Sequence, residues 1–183
     1  MTEVYAMITD GTEEVECLAV VDILRRAEIE TKLVSASDSK EVTSSHGVRI
    51  TADATLADIA PDEAKSIFVP GGMPGSKKLG ACKPLIDMIR RTLGSGGRVA
   101  AICAAPATVL GANGLLVGKK AICFPGMEQG MTGAKVQQGA RVVTDGNITT
   151  ARGLGCAIEL GLELVRLLRG EAQADAIKSK IQF

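Results

Sequence analysis

Short apolar runs of strand length recur along this chain and alternate with stretches of helical, core-facing periodicity. The runs at residues 4–9, 31–36, 66–69 and 99–103 carry few charges, as strands buried on both faces do. Between them, Cys17, Val20, Val21 and Leu24 mark one face of a helix over residues 13–27. Further helices are expected at 84–93, 105–112, 155–168 and the carboxyl end, and further strands at 120–123, 141–144 and 147–151. A hairpin-like excursion covers 42–44 and 47–52 around Ser45-His46. Strands that alternate with helices predict a doubly wound sandwich, a parallel sheet covered on both faces. No Pro- or Ser-rich linker divides the 183 residues, so one domain over 1–183 is expected.

Within that pattern one cysteine stands out. Arg98-Val99-Ala100-Ala101-Ile102-Cys103 runs directly into Ala104-Ala105-Pro106, a strand that stops and becomes a helix. Such a bend exposes its residue at the carboxyl edge of the sheet, where open α/β sheets bind their ligands. A helix amino end there favours thiolate over thiol. The plain alternative is a small buried hydrophobe, as most free cysteines are. Two other strand ends meet the same edge, Asp10–Glu16 after the first and Gly71-Gly72 after a middle one. Glu16, among Ala19, Val20 and Ile23, is either a first-turn residue complementing the helix dipole or a desolvated acid that passes a proton near Cys103. Glu13 and Glu14 read as solvated or capping residues. Gly71-Gly72 is a tight turn whose backbone N–H groups, with that of Ala104, could also approach an oxyanion.

Composition excludes several classes. Lys+Arg and Asp+Glu number 21 each, which argues against nucleic acid or an anionic membrane as partner. The apolar runs are of strand length, so neither a signal peptide nor a membrane span is expected, and the protein reads as cytoplasmic. Cys17, Cys82, Cys103, Cys123 and Cys156 form no C-x-x-C pair and read as reduced thiols. No Cys or His spacing suggests zinc, so no metal and no cofactor are expected. Cys17, Cys123 and Cys156 fall in core patterns, and Cys82 is the one expected to be exposed.

Four motifs carry a resemblance. Gly11-Thr12-Glu13-Glu14-Val15-Glu16, Val69-Pro70-Gly71-Gly72, Ala100-Ala101-Ile102-Cys103-Ala104-Ala105-Pro106 and Thr150-Ala151-Arg152-Gly153-Leu154-Gly155 resemble, in order and spacing, those of the ThiJ/PfpI superfamily. Within it, the chain is most similar to the branch of the parkinsonism-associated deglycase and bacterial ThiJ-like proteins. The resemblance implies a flavodoxin-like three-layer sandwich with a mostly parallel sheet and helices on both faces, usually a homodimer. It implies a nucleophilic Cys103 and a Glu16 whose protonated carboxyl hydrogen-bonds the thiolate or its oxidised form.

Departures from that pattern narrow the chemistry. Phe124 stands where several members carry a histidine, and Ala104 where the PfpI-type protease branch has one. A Cys–His pair at these positions is therefore absent, which counts against peptidase chemistry. His46 matches a position that relatives present to the partner subunit's site, where they can have arginine; its plain reading is a solvent-facing turn residue. Arg26 matches a position near the dimer interface, although a helix-end arginine needs no such role. Ser44 replaces a secondary cysteine of some relatives, and Leu154 stands in a loop where proline is common. The resemblance implies cofactor-free handling of small dicarbonyls, or of glycated protein adducts. The alternative is an oxidative-stress sensor or redox-regulated chaperone working through Cys103.

Overall fold

The computed structural model describes residues 2–61, 63 and 65–183. In chain order its first elements are β1 (Val4–Ile8), α1 (Glu14–Arg26), β2 (Thr31–Ser35), β3 (Glu41–Thr43), β4 (Arg49–Thr51) and β5 (Ala54–Thr55). Then come β6 (Ser66–Val69), α2 (Gly75–Ala81), α3 (Lys83–Gly94), β7 (Arg98–Ile102) and a π-helical segment, Pro106–Gly111. The chain continues through β8 (Lys120–Ala121), β9 (Lys135–Val136), β10 (Val142–Asp145), β11 (Ile148–Ala151), α4 (Ala157–Arg169) and α5 (Glu171–Lys180).

Seven strands make one sheet in the order β10-β11-β7-β6-β1-β2-β5. Every neighbouring pair is parallel except β10–β11, an antiparallel pair at one edge. Alternate side chains feed two cores, which is the pleat's period of two put to use. Val4, Ala6 and Ile8 of β1 pack with Val20, Ile23 and Leu24 of α1, Leu160 and Val165 of α4 and Ile177 of α5. Tyr5 and Met7 point the other way, to Leu79 of α2, Leu85 and Ile89 of α3 and Val109 and Leu110 of the π-helical segment. Each such Val, Leu, Ile or Met side chain, fully buried, contributes roughly 1.5–3 kcal/mol. The three-layer α/β sandwich expected from the sequence is present.

Several local expectations need correction. The helix expected over 105–112 is a six-residue π-helix, and the strand expected over 120–123 is only Lys120–Ala121, paired in parallel with β9 apart from the main sheet. Helix α2 had no counterpart in the sequence reading. It has too few apolar residues for a clear period, and its glycines serve contact instead. A Cβ at Gly80 would lie 2.1 Å from the Thr108 carbonyl oxygen, so α2 and the π-helical segment meet backbone to backbone. The hairpin β3–β4 is antiparallel, as its turn residues suggested. It is pinned to the loop after β1 by Gly11 N–H to Thr43 O (2.8 Å), Thr43 N–H to Asp10 Oδ1 (2.8 Å) and Ser45 N–H to Thr12 O (2.8 Å). That pinning sets His46 over the amino end of α1. Among the described residues, no helix is long and apolar enough to cross a membrane.

Candidate active site

Strands β1, β6, β7 and β11 are parallel and adjacent through most of the order, so their carboxyl ends share one edge. Four loops meet there, and each contributes a group. Cys103 follows β7 directly, with φ 63°, a left-handed conformation rare for a residue with a Cβ. Its N–H bonds to Ala151 O (2.9 Å) and its carbonyl accepts from Phe124 N–H (2.7 Å), so neighbours on both sides hold the strained bend. The thiol is half-buried.

Glu16 is in the first turn of α1 and is only 1% exposed. Its Oε2 accepts the N–H of Gly71 at 3.0 Å, and its carboxyl also accepts the N–H of Leu154 and hydrogen-bonds the Cys103 thiol. Burial, opposed by those hydrogen bonds and reinforced by the nearby Glu13 charge, pushes Glu16 up to about 7. Gly71 has no room for a side chain: a Cβ would sit 2.6 Å from Glu16 Oε2 and 2.7 Å from Cys103 Cβ. Gly72, at φ 91°, presses equally close, with a hypothetical Cβ 2.3 Å from Glu13 N. The N–H groups of Gly72 and Ala104 face the Cys103 sulfur.

The thiol itself departs from the sequence reading. A helix amino end was expected to favour thiolate. Instead, burial and the ionised Glu16 carboxylate push Cys103 up to about 12, against the pull of the Ala104 and Gly72 N–H groups. Burial is the larger cause and persists, while the part that comes from the partner's charge reverses with the proton. When Glu16 is protonated, its O–H can donate to a thiolate, and the two groups titrate as a pair.

The structure thus brings together four of the residues singled out, Cys103, Glu16, Gly72 and Ala104. It takes the other two elsewhere. Arg26 is exposed and pairs with Asp22 at 2.6 Å, one turn back on α1. His46, also exposed, has its Nδ1 3.2 Å from Glu14 Oε1 and 3.9 Å from Glu13 Oε1. Of the two roles read for Glu13 and Glu14, solvated or capping, Glu13 takes the second. Glu13 is buried and caps α1 by accepting the Glu16 N–H at 2.6 Å, while Glu14 is half-buried and its Oε2 lies 3.3 Å from both Ser45 Oγ, which donates to it, and His46 Nδ1. One ligand atom from each of Glu13, Glu14 and His46 lies within 4.8 Å of the others, the one set among the described residues with metal-ligand geometry. Cysteine and histidine spacing gave no hint of it, because two of its members are carboxylates. Cys17, Cys123 and Cys156 are buried as expected, and Cys82 is half-buried like Cys103. In the sequence Leu154 marks only a loop that lacks its common proline. Its role as a donor to Glu16 is a main-chain property that no side-chain motif signals.

Residues 2–167 match the model of the DJ-1/PfpI family. The chain belongs to the DJ-1/PfpI family. It is 37% identical over 172 residues to protein DJ-1 homolog B of Arabidopsis thaliana, covering 94% of this chain and 39% of that protein. It therefore spans about two fifths of that plant relative. It is 32% identical over 170 residues to the glutathione-independent glyoxalase DJR-1.2 of Caenorhabditis elegans, covering 92% of this chain and 89% of that one. Among solved structures it superposes on oxidized Toxoplasma gondii DJ-1 with a TM-score of 0.95 and 32% identity, over 100% of this chain and 99% of the other. The mostly parallel, helix-flanked sheet is the DJ-1 arrangement, of flavodoxin-like α/β type.

Proposed function

We propose that this member of the DJ-1/PfpI family converts 2-oxoaldehydes to 2-hydroxy acids, with Cys103 as nucleophile and Glu16 as proton shuttle. The observation that carries this reading is the buried Glu16 carboxyl set beside the Cys103 thiol with only Gly71 between them, where burial pushes it up to about 7. An acid–base group works best when its pKa lies near the working pH. The name of the Caenorhabditis relative, a glutathione-independent glyoxalase, supports the same chemistry.

The steps balance without an outside oxidant. Cys103 sulfur bonds to the aldehyde carbon, and the C=O electron pair moves to oxygen, which is protonated to a hemithioacetal. The N–H groups of Gly72 and Ala104 are the proposed donors to that oxygen as its charge develops. Glu16 carboxylate removes the hydrogen of the same carbon, giving an enediol, and returns a proton to the neighbouring carbon. The product is a 2-hydroxy thioester. Water cleaves it, the acid leaves and the thiol is restored. The aldehyde carbon is oxidised while its neighbour is reduced. Protein adducts of the same dicarbonyls, whose aldehyde carbon is already bonded to a protein amine, would enter by displacement: Cys103 sulfur bonds to that carbon as the C–N bond breaks and the amine leaves with a proton, giving the same hemithioacetal, which is the deglycase form of this reading.

The decisive experiment follows lactate from methylglyoxal, without glutathione or added metal, beside Cys103→Ala. Turnover that disappears in the variant supports the assignment; no turnover in either protein overturns it. A sensor reading has its own support, since a protonated Glu16 and two N–H groups could hold an oxidised sulfur. Two added oxygens confined to Cys103 after mild peroxide, without dicarbonyl turnover, would favour it. A homodimer is the proposed assembly: Val15 and Leu18 of α1 and Ile158 of α4 stay exposed, and a second copy would cover them. A monomer by sedimentation would exclude that pairing.

A further inference from the structure

Most large hydrophobic side chains of the described residues are buried, yet Met73, Phe124 and Leu154 are 45%, 48% and 48% exposed. All three belong to segments that hold the reactive pair. Met73 follows Gly72, whose N–H faces the Cys103 sulfur. Phe124 donates its N–H to Cys103 O at 2.7 Å, and its ring lies against Gly153, 3.4 Å from where a Cβ there would stand. Leu154 donates its N–H to the Glu16 carboxyl. Three separate loops thus each carry one half-exposed apolar side chain on, or next to, a residue whose main chain meets the reactive pair.

Arg152, beside Gly153, lines a separate cavity of about 190 Å³ with Cys123, Glu128 and Gln138. His46 is held by Glu14 and Glu13. A substrate carboxylate or phosphate group set against these three apolar side chains would lose water without gaining a hydrogen bond from them, a costly desolvation. An aryl or branched alkyl group would instead cover Phe124, Leu154 and Met73 and leave water.

Resting on the reading of Cys103 and Glu16 given above, we infer that the preferred substrates are 2-oxoaldehydes bearing an apolar substituent, selected by Met73, Phe124 and Leu154. The substituent takes no part in bond making, so the balanced steps are unchanged. Its contribution is contact area.

The test compares kcat/KM for phenylglyoxal with that for glyoxal, in the unaltered protein and in Phe124→Ser/Leu154→Ser. The ratio of the two substrates divides out any loss common to both, and comparing proteins divides out intrinsic reactivity. The ratio is expected to fall about tenfold or more in the double variant, the size of effect that apolar pocket contacts produce. An unchanged ratio overturns the inference. A second readout is independent of turnover: the rates at which iodoacetamide and N-benzyl iodoacetamide alkylate Cys103, followed by intact mass. The benzyl preference should likewise fall in the variant. Benzyl preference without turnover of either glyoxal would sink the enzymatic reading and leave the apolar rim standing. Turnover without any aryl preference would do the reverse.

Discussion

Replacing Glu16 by Gln keeps the shape of the site and removes its titration, which makes a sharp test of the pair. Glu16 is pushed from its ordinary 4.5 up to about 7, chiefly by burial. Between those values the folded protein holds a proton that the unfolded chain has released. The native state therefore binds more protons in this window, and its stability must fall as pH rises through it. One pH unit between the two values is worth about 1.4 kcal/mol, so the full stretch amounts to about 3 kcal/mol. The contribution is intact below about pH 4.5 and lost above about pH 7. Glu16→Gln cannot titrate, yet its amide oxygen can still accept from Gly71 and Leu154. Urea unfolding from pH 4 to 8 should show the unaltered protein losing about 3 kcal/mol relative to Glu16→Gln across the window. Subtracting the two curves removes whatever is common to both proteins. A difference constant to within about 1 kcal/mol would refute the claim that burial has shifted Glu16.

Three shorter predictions accompany it. Glu16→Leu leaves the Gly71 and Leu154 N–H groups without their carboxyl acceptor and removes the donor to sulfur, so its Cys103 should alkylate more slowly with iodoacetamide than that of Glu16→Gln. Equal rates would remove Glu16 from the site. Cys103 holds φ 63°, so Cys103→Gly should be more stable than Cys103→Ala by about 1 kcal/mol in urea. Equal stability would show the bend to be relaxed. Gly80→Ala drives a Cβ to 2.1 Å from the Thr108 carbonyl and should cost about 2 kcal/mol or more, lowering Tm by about 4–8 °C. An unchanged Tm would mean that α2 can withdraw freely.

Much of this was legible in the chain because it is local. The alternation of strand-length and helix-length runs is a property of consecutive residues, and it predicted the parallel, doubly covered sheet. A strand that ends on Cys103 and turns at once announces its edge position, and Glu16 one turn into α1 follows from counting. What the chain could not disclose lies between residues distant in sequence. Gly71 and Glu16 are 55 positions apart, yet their 3.0 Å hydrogen bond helps set the carboxyl. The sign of the Cys103 shift depends on how deeply the two groups are buried together, so a helix end read from sequence pointed the wrong way. Helix α2 exists because its glycines let backbones touch, a contact that hydrophobic periodicity does not encode. The cluster of Glu13, Glu14 and His46 forms only because the hairpin is tied to the loop after β1. By itself the sequence determined which groups reach the carboxyl edge of the sheet. The tertiary structure alone decided their protonation and their surroundings, because desolvation and the aim of main-chain N–H groups are properties of packed neighbours.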